Sequence, residues 1–235
     1  MQIYTPWFKY KGIDSRQMGI IITSMPPVTR AEQRMETLII PGRSGSLHIF
    51  DGGYANYTKT MECAIRSRQH IDEMAAWLTG SGELILSNEP DKVYRVHIAN
   101  TLDIEQMMLA FQKFQLHFDT YPFKYSVNAF GEQLTLTKSP QTIFGAGTYP
   151  SEPIITIWGT GAVTLTINGQ AYAISGISQY LTIDSEIQEV YKGSQNMNNL
   201  YLQPDFPLLQ AGQTNTISWT GDIDKIDIQP NWRWL

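Results

Sequence analysis

The chain carries one cysteine and four histidines among 235 residues, and only 17% of it is charged. A single cysteine excludes an intramolecular disulfide. Cys63 lies in KTMECAIR, where Met61, Cys63 and Ile65 alternate with polar neighbours, so it reads as a small buried hydrophobe and not as a nucleophile. His48, His70, His97 and His117 stand far apart and lack the close pair that zinc sites use. The net charge of −5 speaks against wrapping nucleic acid, which needs clustered Lys and Arg. The longest aliphatic runs, such as GIII, are far too short for a membrane span of about 20 residues. The opening MQIYTPWFKYKG lacks the apolar centre of a secretory leader, which predicts a protein made in a cytoplasm and released, if at all, by another route.

The signatures of catalysis are missing as well. The Gly-rich run IIPGRSGSLHIFDGGYANY, residues 39–57, invites comparison with a phosphate-binding loop. Such a loop needs a Gly-Lys-Ser/Thr end feeding a helix. Here Arg43-Ser44-Gly45-Ser46 follows Gly42, and the next residues, LHIF, read as a strand. No βαβ pattern surrounds the run, which excludes a dinucleotide fingerprint. PGRSGS and DGG are therefore expected to be two turns joining three antiparallel strands, METLII, SLHIF and NYTKTMECAI. Asp184 with Glu186 and Glu189, or Asp222 with Asp224 and Asp227, would make a glycosidase only if two carboxyl groups faced each other across a cleft. No Gly-x-Ser-x-Gly element is present. Neither a metal nor a cofactor is expected.

What is abundant is period-2 alternation and aromatic residues. KVYRVHIA sets Tyr94, Val96 and Ile98 on one side, AVTLTI sets Val163, Leu165 and Ile167, and FQLHF sets Phe114, Leu116 and Phe118. In QYLTIDS, Leu181 and Ile183 oppose Tyr180, Thr182 and Asp184. Asn168-Gly169 suits a type I′ turn, so 162–174 is predicted to be a hairpin. One segment follows a helical period: SRQHIDEMAAWLTGSG, with Ile71, Met74, Ala75 and Leu78 on one face, Ser67 as N-cap and Gly80 as stop. By composition DIEQMMLA leans towards helix before the chain turns to alternation. The expected architecture is mainly β. Residues 1–128 form a β domain with one packed helix, and 129–235 form an all-β sandwich.

Seven segments in one order resemble the siphophage distal tail proteins, a tail-component family. They are FKYKGIDSRQMGI, IIPGRSGSLHIFDGGYANYTK, WLTGSGELILSNEPDKVYRVHIAN, FQLHFDTYPFKY, YLTIDSEIQEVYKG, DFPLLQAGQTNTISWTG and IDIQPNWRWL. The chain departs from the family at Pro230-Asn231-Trp232-Arg233, where Pro-Arg-Trp-Arg is more usual. The resemblance implies a structural protein of a virion, not an enzyme. Its N-terminal domain would be tube-protein-like and its C-terminal domain a galectin-like β-sandwich. Six copies would form a hexameric ring at the baseplate, joining the terminal major tail (tube) protein to the tail-associated tip protein (Tal) and, in larger baseplates, to receptor-binding proteins. DNA would pass through the channel without specific binding, as an acidic chain favours, and such proteins usually come from phages or prophages of Gram-positive bacteria. The sparse charge and Gly-rich turns of residues 35–60 make that stretch the expected subunit contact, with Gly42, Arg43, Gly45, Asp51, Gly53 and Tyr54 as candidates. The alternative is a carbohydrate-binding module, in which Trp158, Trp219, Trp232 or Trp234 stacks on host cell-wall glycans.

Overall fold

A computed structural model describes residues 5–65, 71–98, 105–108, 111–128 and 132–235. The chain divides into two compact units, Met1–Lys124 with Leu235, and Tyr125–Trp234.

The first unit contains β1 (Phe8–Tyr10), β2 (Ile13–Asp14), β3 (Ile20–Ser24), β4 (Gln33–Ile39), β5 (Ser46–Tyr54), β6 (Tyr57–Ile65), α1 (Ile71–Trp77), β7 (Gly80–Leu86), β8 (Glu89–Ile98), β9 (Glu105–Met108) and β10 (Phe111–Ser126). Its main sheet runs β2-β1-β7-β8-β10-β6-β3, with β9 on β10. Alternation built this sheet as expected. Met61, Cys63 and Ile65 face Phe114, Leu116 and Phe118 in one buried layer, and Tyr94, Val96 and Ile98 join it. Burial raises the Cys63 thiol to about 12, so it stays protonated and inert at neutral pH.

The helix is present with a shifted face. Met74, Trp77 and Leu78 are buried while Ala75 points to solvent. Trp77 sets the face because it stacks on Phe8 at 5.7 Å and its indole N–H donates to the Tyr10 carbonyl at 3.0 Å. An aromatic ring buries several times the area of an alanine methyl, and the stripe rotates towards it. The proposed cap Ser67 and His70 lie outside the described residues. Residues 105–108, which by composition lean towards helix, form β9. A ready strand edge on β10 supplies their hydrogen bonds and overrides local propensity.

DGG is not a turn. Asp51, Gly52 and Gly53 lie inside β5 opposite the single residue Arg34, and Gly52 (φ 88°) helps the chain take up the two extra residues as a bulge. Nor do the three strands form one sheet. Among the described residues β4 and β5 pair only with each other, whereas β6 lies between β3 and β10.

The second unit comprises β11 (Leu134–Leu136), β12 (Gln141–Phe144), β13 (Ile154–Ile167), β14 (Gln170–Asp184), β15 (Glu189–Lys192), β16 (Gln195–Asn196), β17 (Thr214–Gln229) and β18 (Arg233–Trp234), with one 3₁₀ turn at Asn198–Leu200. Its main sheet runs β11-β17-β13-β14-β15-β16, and β12 also pairs with β17. Asn168 (φ 52°) and Gly169 (φ 86°) form the predicted tight turn between β13 and β14. The three long strands bend near their middles. Register breaks there put one extra residue into β14, one into β17 and two into β13, and the shift in β14 lets Tyr172 and Ile174 but also Leu181 and Ile183 face one core. Gly159 permits the bend, since a Cβ there would lie 2.1 Å from the Asp222 carbonyl oxygen.

One core position of the first unit holds a charge. Lys59 continues the buried face of β6 and is 2% exposed. Its ammonium donates to the Pro27 carbonyl at 2.9 Å and sits 4.8 Å from the centre of the Tyr94 ring. Beside it, burial works against the Glu89 carboxylate, but hydrogen bonds from Lys124 and Tyr94 outweigh that and hold its pKa low. Desolvation lowers the Lys59 pKa to about 8. Between that value and the unfolded lysine's, about 10.4, the unfolded chain binds the extra proton, so this group's contribution to stability rises with pH. Cys63 acts in the opposite sense above about pH 9, since its thiol ionises only when unfolded. The Lys59 contribution is therefore isolated as the stability difference between wild type and Lys59→Met. Chemical denaturation should show that difference moving in favour of wild type by roughly 2 kcal/mol from pH 7 to pH 10. A difference independent of pH would show that Lys59 is not desolvated.

Candidate assembly surface

The β4–β5 hairpin carries half of the exposed large hydrophobic side chains among the described residues. Directly paired residues share a face of an antiparallel ladder. One face therefore carries Met35 with Phe50, Thr37 with His48 and Ile39 with Ser46; the other carries Glu36 with Ile49 and Leu38 with Leu47. Both faces are exposed. Met35 is 56% and Ile39 74% accessible, and Leu38, Ile40, Leu47, Ile49 and Phe50 are exposed as well. A two-stranded ribbon is marginal in water by itself, and exposed apolar side chains on both its faces mark an interaction site. Both outer edges also present unpaired backbone groups.

The six residues expected at a subunit contact fall at the two ends of this arm. Gly42 (φ 81°) and Gly45 (φ 83°) shape its tip around Arg43, whose N–H donates to the Ile40 carbonyl at 3.1 Å. Asp51, Gly53 and Tyr54 form its root. Asp51 accepts from the Gly53 N–H at 2.8 Å and pairs with Arg34 at 3.2 Å. Gly53 leaves the room that the Arg34 guanidinium occupies. Tyr54 packs edge-on between Phe50 and Phe123, tying the arm to β10. The seven exposed apolar residues lie within the stretch 35–60 that the sequence reading picked out, but it named none of them individually. Alternation on both faces of a strand looks the same whether a core or a partner covers it.

The other candidates occupy structural places. His97, His117 and His48 each face a hydroxyl directly across a strand pair, Ser81, Thr60 and Thr37, at 3.0–3.1 Å. Among the described residues no group of three or more His, Cys, Asp or Glu could hold a metal ion. Asp184 caps its own turn by accepting from the N–H groups of Glu186 and Ile187. Asp222 accepts from Thr160. Asp227 is bound by Thr135, Trp158 and Lys225 at 2.7 Å each. Those donors outweigh its burial and hold its carboxyl below the usual range.

Of the four tryptophans considered for sugar stacking, Trp232 is buried, and Trp219 and Trp234 pack against the second core. Trp158 is on the outer face of its sheet, but its ring lies between Tyr180, 5.0 Å away, and the Lys225 ammonium, 4.9 Å away. A sugar would have to displace these neighbours to stack there. At Pro230-Asn231-Trp232-Arg233, Asn231 adopts φ 50° and Arg233 clamps Glu152 through two nitrogens, at 2.6 and 3.0 Å.

Residues 14–120 match the model of the phage tail protein RIFT-related domain. Over 96% of this chain and 98% of the other, the structure is similar to the crystal structure of the SPP1 Dit (gp 19.1) protein, with a TM-score of 0.75 and 13% identity. That protein is described as a paradigm of the hub adsorption apparatus in phages infecting Gram-positive bacteria. No curated protein matches the sequence. The family model covers most of the first unit, and the shared fold covers both.

If the arm contributes nothing to either core, Leu47→Ser with Ile49→Ser will leave thermal unfolding within about 0.5 kcal/mol of wild type. The same variant should lower the binding of a hydrophobic dye to the monomer. A large drop in melting temperature would show that the arm is packed against its own chain.

Proposed function

We propose that this phage tail protein is a distal tail hub, the structural ring of a non-contractile long-tailed phage, seated at the tail tip. The observation that carries the reading is the β4–β5 arm, whose apolar faces and free edges require a neighbour. The likeness in fold to a protein of a hub adsorption apparatus supports it. A patch that meets a different patch on the next copy makes a heterologous interface, and such interfaces close into rings when the rotation allows. The arm suits this role, because it projects from one place and must be received at another.

In this reading six copies form the ring through their first units. The terminal tube protein sits on one side and the tip protein on the other, while the second unit serves outward contacts to receptor-binding proteins. The chain takes no part in catalysis. Its net charge of −5 suits a channel whose walls repel phosphates, so DNA slides through without being held.

The decisive measurement is mass in solution together with particle images. Six copies of a 26.7 kDa chain amount to about 160 kDa, expected as an annulus with a central hole, alone or beside its tail neighbours. Persistent monomers in both settings would refute the ring. The arm's part in it is tested by Gly42→Val with Gly45→Val. Both glycines have positive φ and open space around them, so a Cβ strains the tip by about 1–2 kcal/mol per residue while leaving the cores alone. Rings should weaken and monomers stay folded; unaltered ring assembly would remove the arm from the contact.

A further inference from the structure

A cleft of about 560 Å³ opens in the second unit, within the range of small-ligand sites. Three segments wall it: the β13–β14 turn with Asn168 and Gln170, the loop after β14 with Ser185 and Gln188, and the Pro204–Gln210 loop. Buried Asn215 fixes two of these walls to each other. Its side-chain oxygen accepts from the Asn168 amide and from the Gln210 N–H, both at 2.8 Å, and its own amide donates to the Gln210 carbonyl at 3.0 Å. Asp184 holds the third wall through its turn. The loop carrying Asp205 is stapled by Tyr201, which stacks on Phe206 at 4.9 Å and donates to the Asp205 carbonyl at 2.7 Å. The cleft is thus pre-formed by side chains whose hydrogen bonds are already made.

Other polar groups around it are not committed. Ser185 is 4% exposed, and its hydroxyl has no hydrogen-bond partner. A buried hydroxyl left without one is costly, and a water or a ligand hydroxyl reaching the cleft floor would satisfy it. The side chains of Gln170, Gln188 and Asp205 engage in no hydrogen bond among the described residues. Tyr172, Phe206 and Leu208 add an apolar strip. The side chains lining the cleft include no Lys or Arg. The Glu152 carboxylate there is occupied by Arg233, and Asp205 leaves the surface acidic, which disfavours an anion.

We infer that this cleft binds a neutral saccharide. Vicinal hydroxyls both donate and accept; the Gln170 and Gln188 amides offer both functions, and Asp205 accepts. The C–H face of a sugar ring would lie on the strip formed by Phe206 and Leu208, backed by buried Tyr172. The inference is independent of the ring reading and concerns a different surface of the chain.

Amide-resolved NMR on the full chain tests it, with glucose, galactose, N-acetylglucosamine, rhamnose and lactose as probes and glycerol phosphate as the anionic counterpart. At least one neutral sugar should give saturable shifts at Gln170, Ser185 and Asp205. Gln170→Ala and Asp205→Ala should each weaken it about tenfold while leaving the melting temperature unchanged. Ser185→Ala separates a ligand role from a structural one: it should keep or raise stability, because it removes an unpartnered buried hydroxyl, and still lower sugar affinity. Absence of saturable shifts with every neutral sugar, wild-type affinity in all three variants, or tighter binding of glycerol phosphate than of any sugar would each overturn the inference.

Discussion

A strand has two faces, and each apolar one has to be covered. Within this chain both main sheets meet that requirement by closing on a core, one built around Phe8, Met61, Trp77 and Phe118, the other around Ile155, Leu165, Leu181 and Ile226. The β4–β5 ribbon does not. Half of the exposed large hydrophobic side chains among the described residues, seven of fourteen, lie between Met35 and Phe50. That concentration sets the ribbon apart from the scattered apolar surface every protein shows. The ribbon's glycine tip, its bulge at Gly52 and its aromatic root at Tyr54 are all consequences of holding such a surface out in solvent.

The second unit places its polar chemistry differently. Asn215, Asp227 and Arg233 are buried, and each is bonded by several partners, so they fix loops and strand ends and leave little for a ligand. Ser185, Gln170 and Asp205 instead border one cleft.

Much of the β architecture was legible from alternation, because a side-chain period of two has few other causes. The tight turn at Asn168-Gly169 was readable for an equally local reason, the positive φ that both residues tolerate. The helix was readable in place but not in orientation, since Trp77 outcompetes Ala75 for the core only once Phe8 is beside it. DGG misled because a Gly pair serves a bulge as well as a turn, and the choice depends on which strand lies opposite. Lys59 was invisible, as its place in the buried alternation is overruled by charge until the Pro27 carbonyl and the Tyr94 ring come into view.

The sequence alone determined the period of each strand, the missing catalytic and metal-binding patterns, and the family likeness, because these are carried by residues adjacent or near in the chain. The tertiary structure decided which alternating faces are closed and which stay open, that Trp158 is occupied by Lys225 and Tyr180, and that Gln170, Ser185 and Asp205 border one cleft. The physical reason is that covering a face, or converging on a site, is a relation between segments tens of residues apart, and no local pattern encodes its partner.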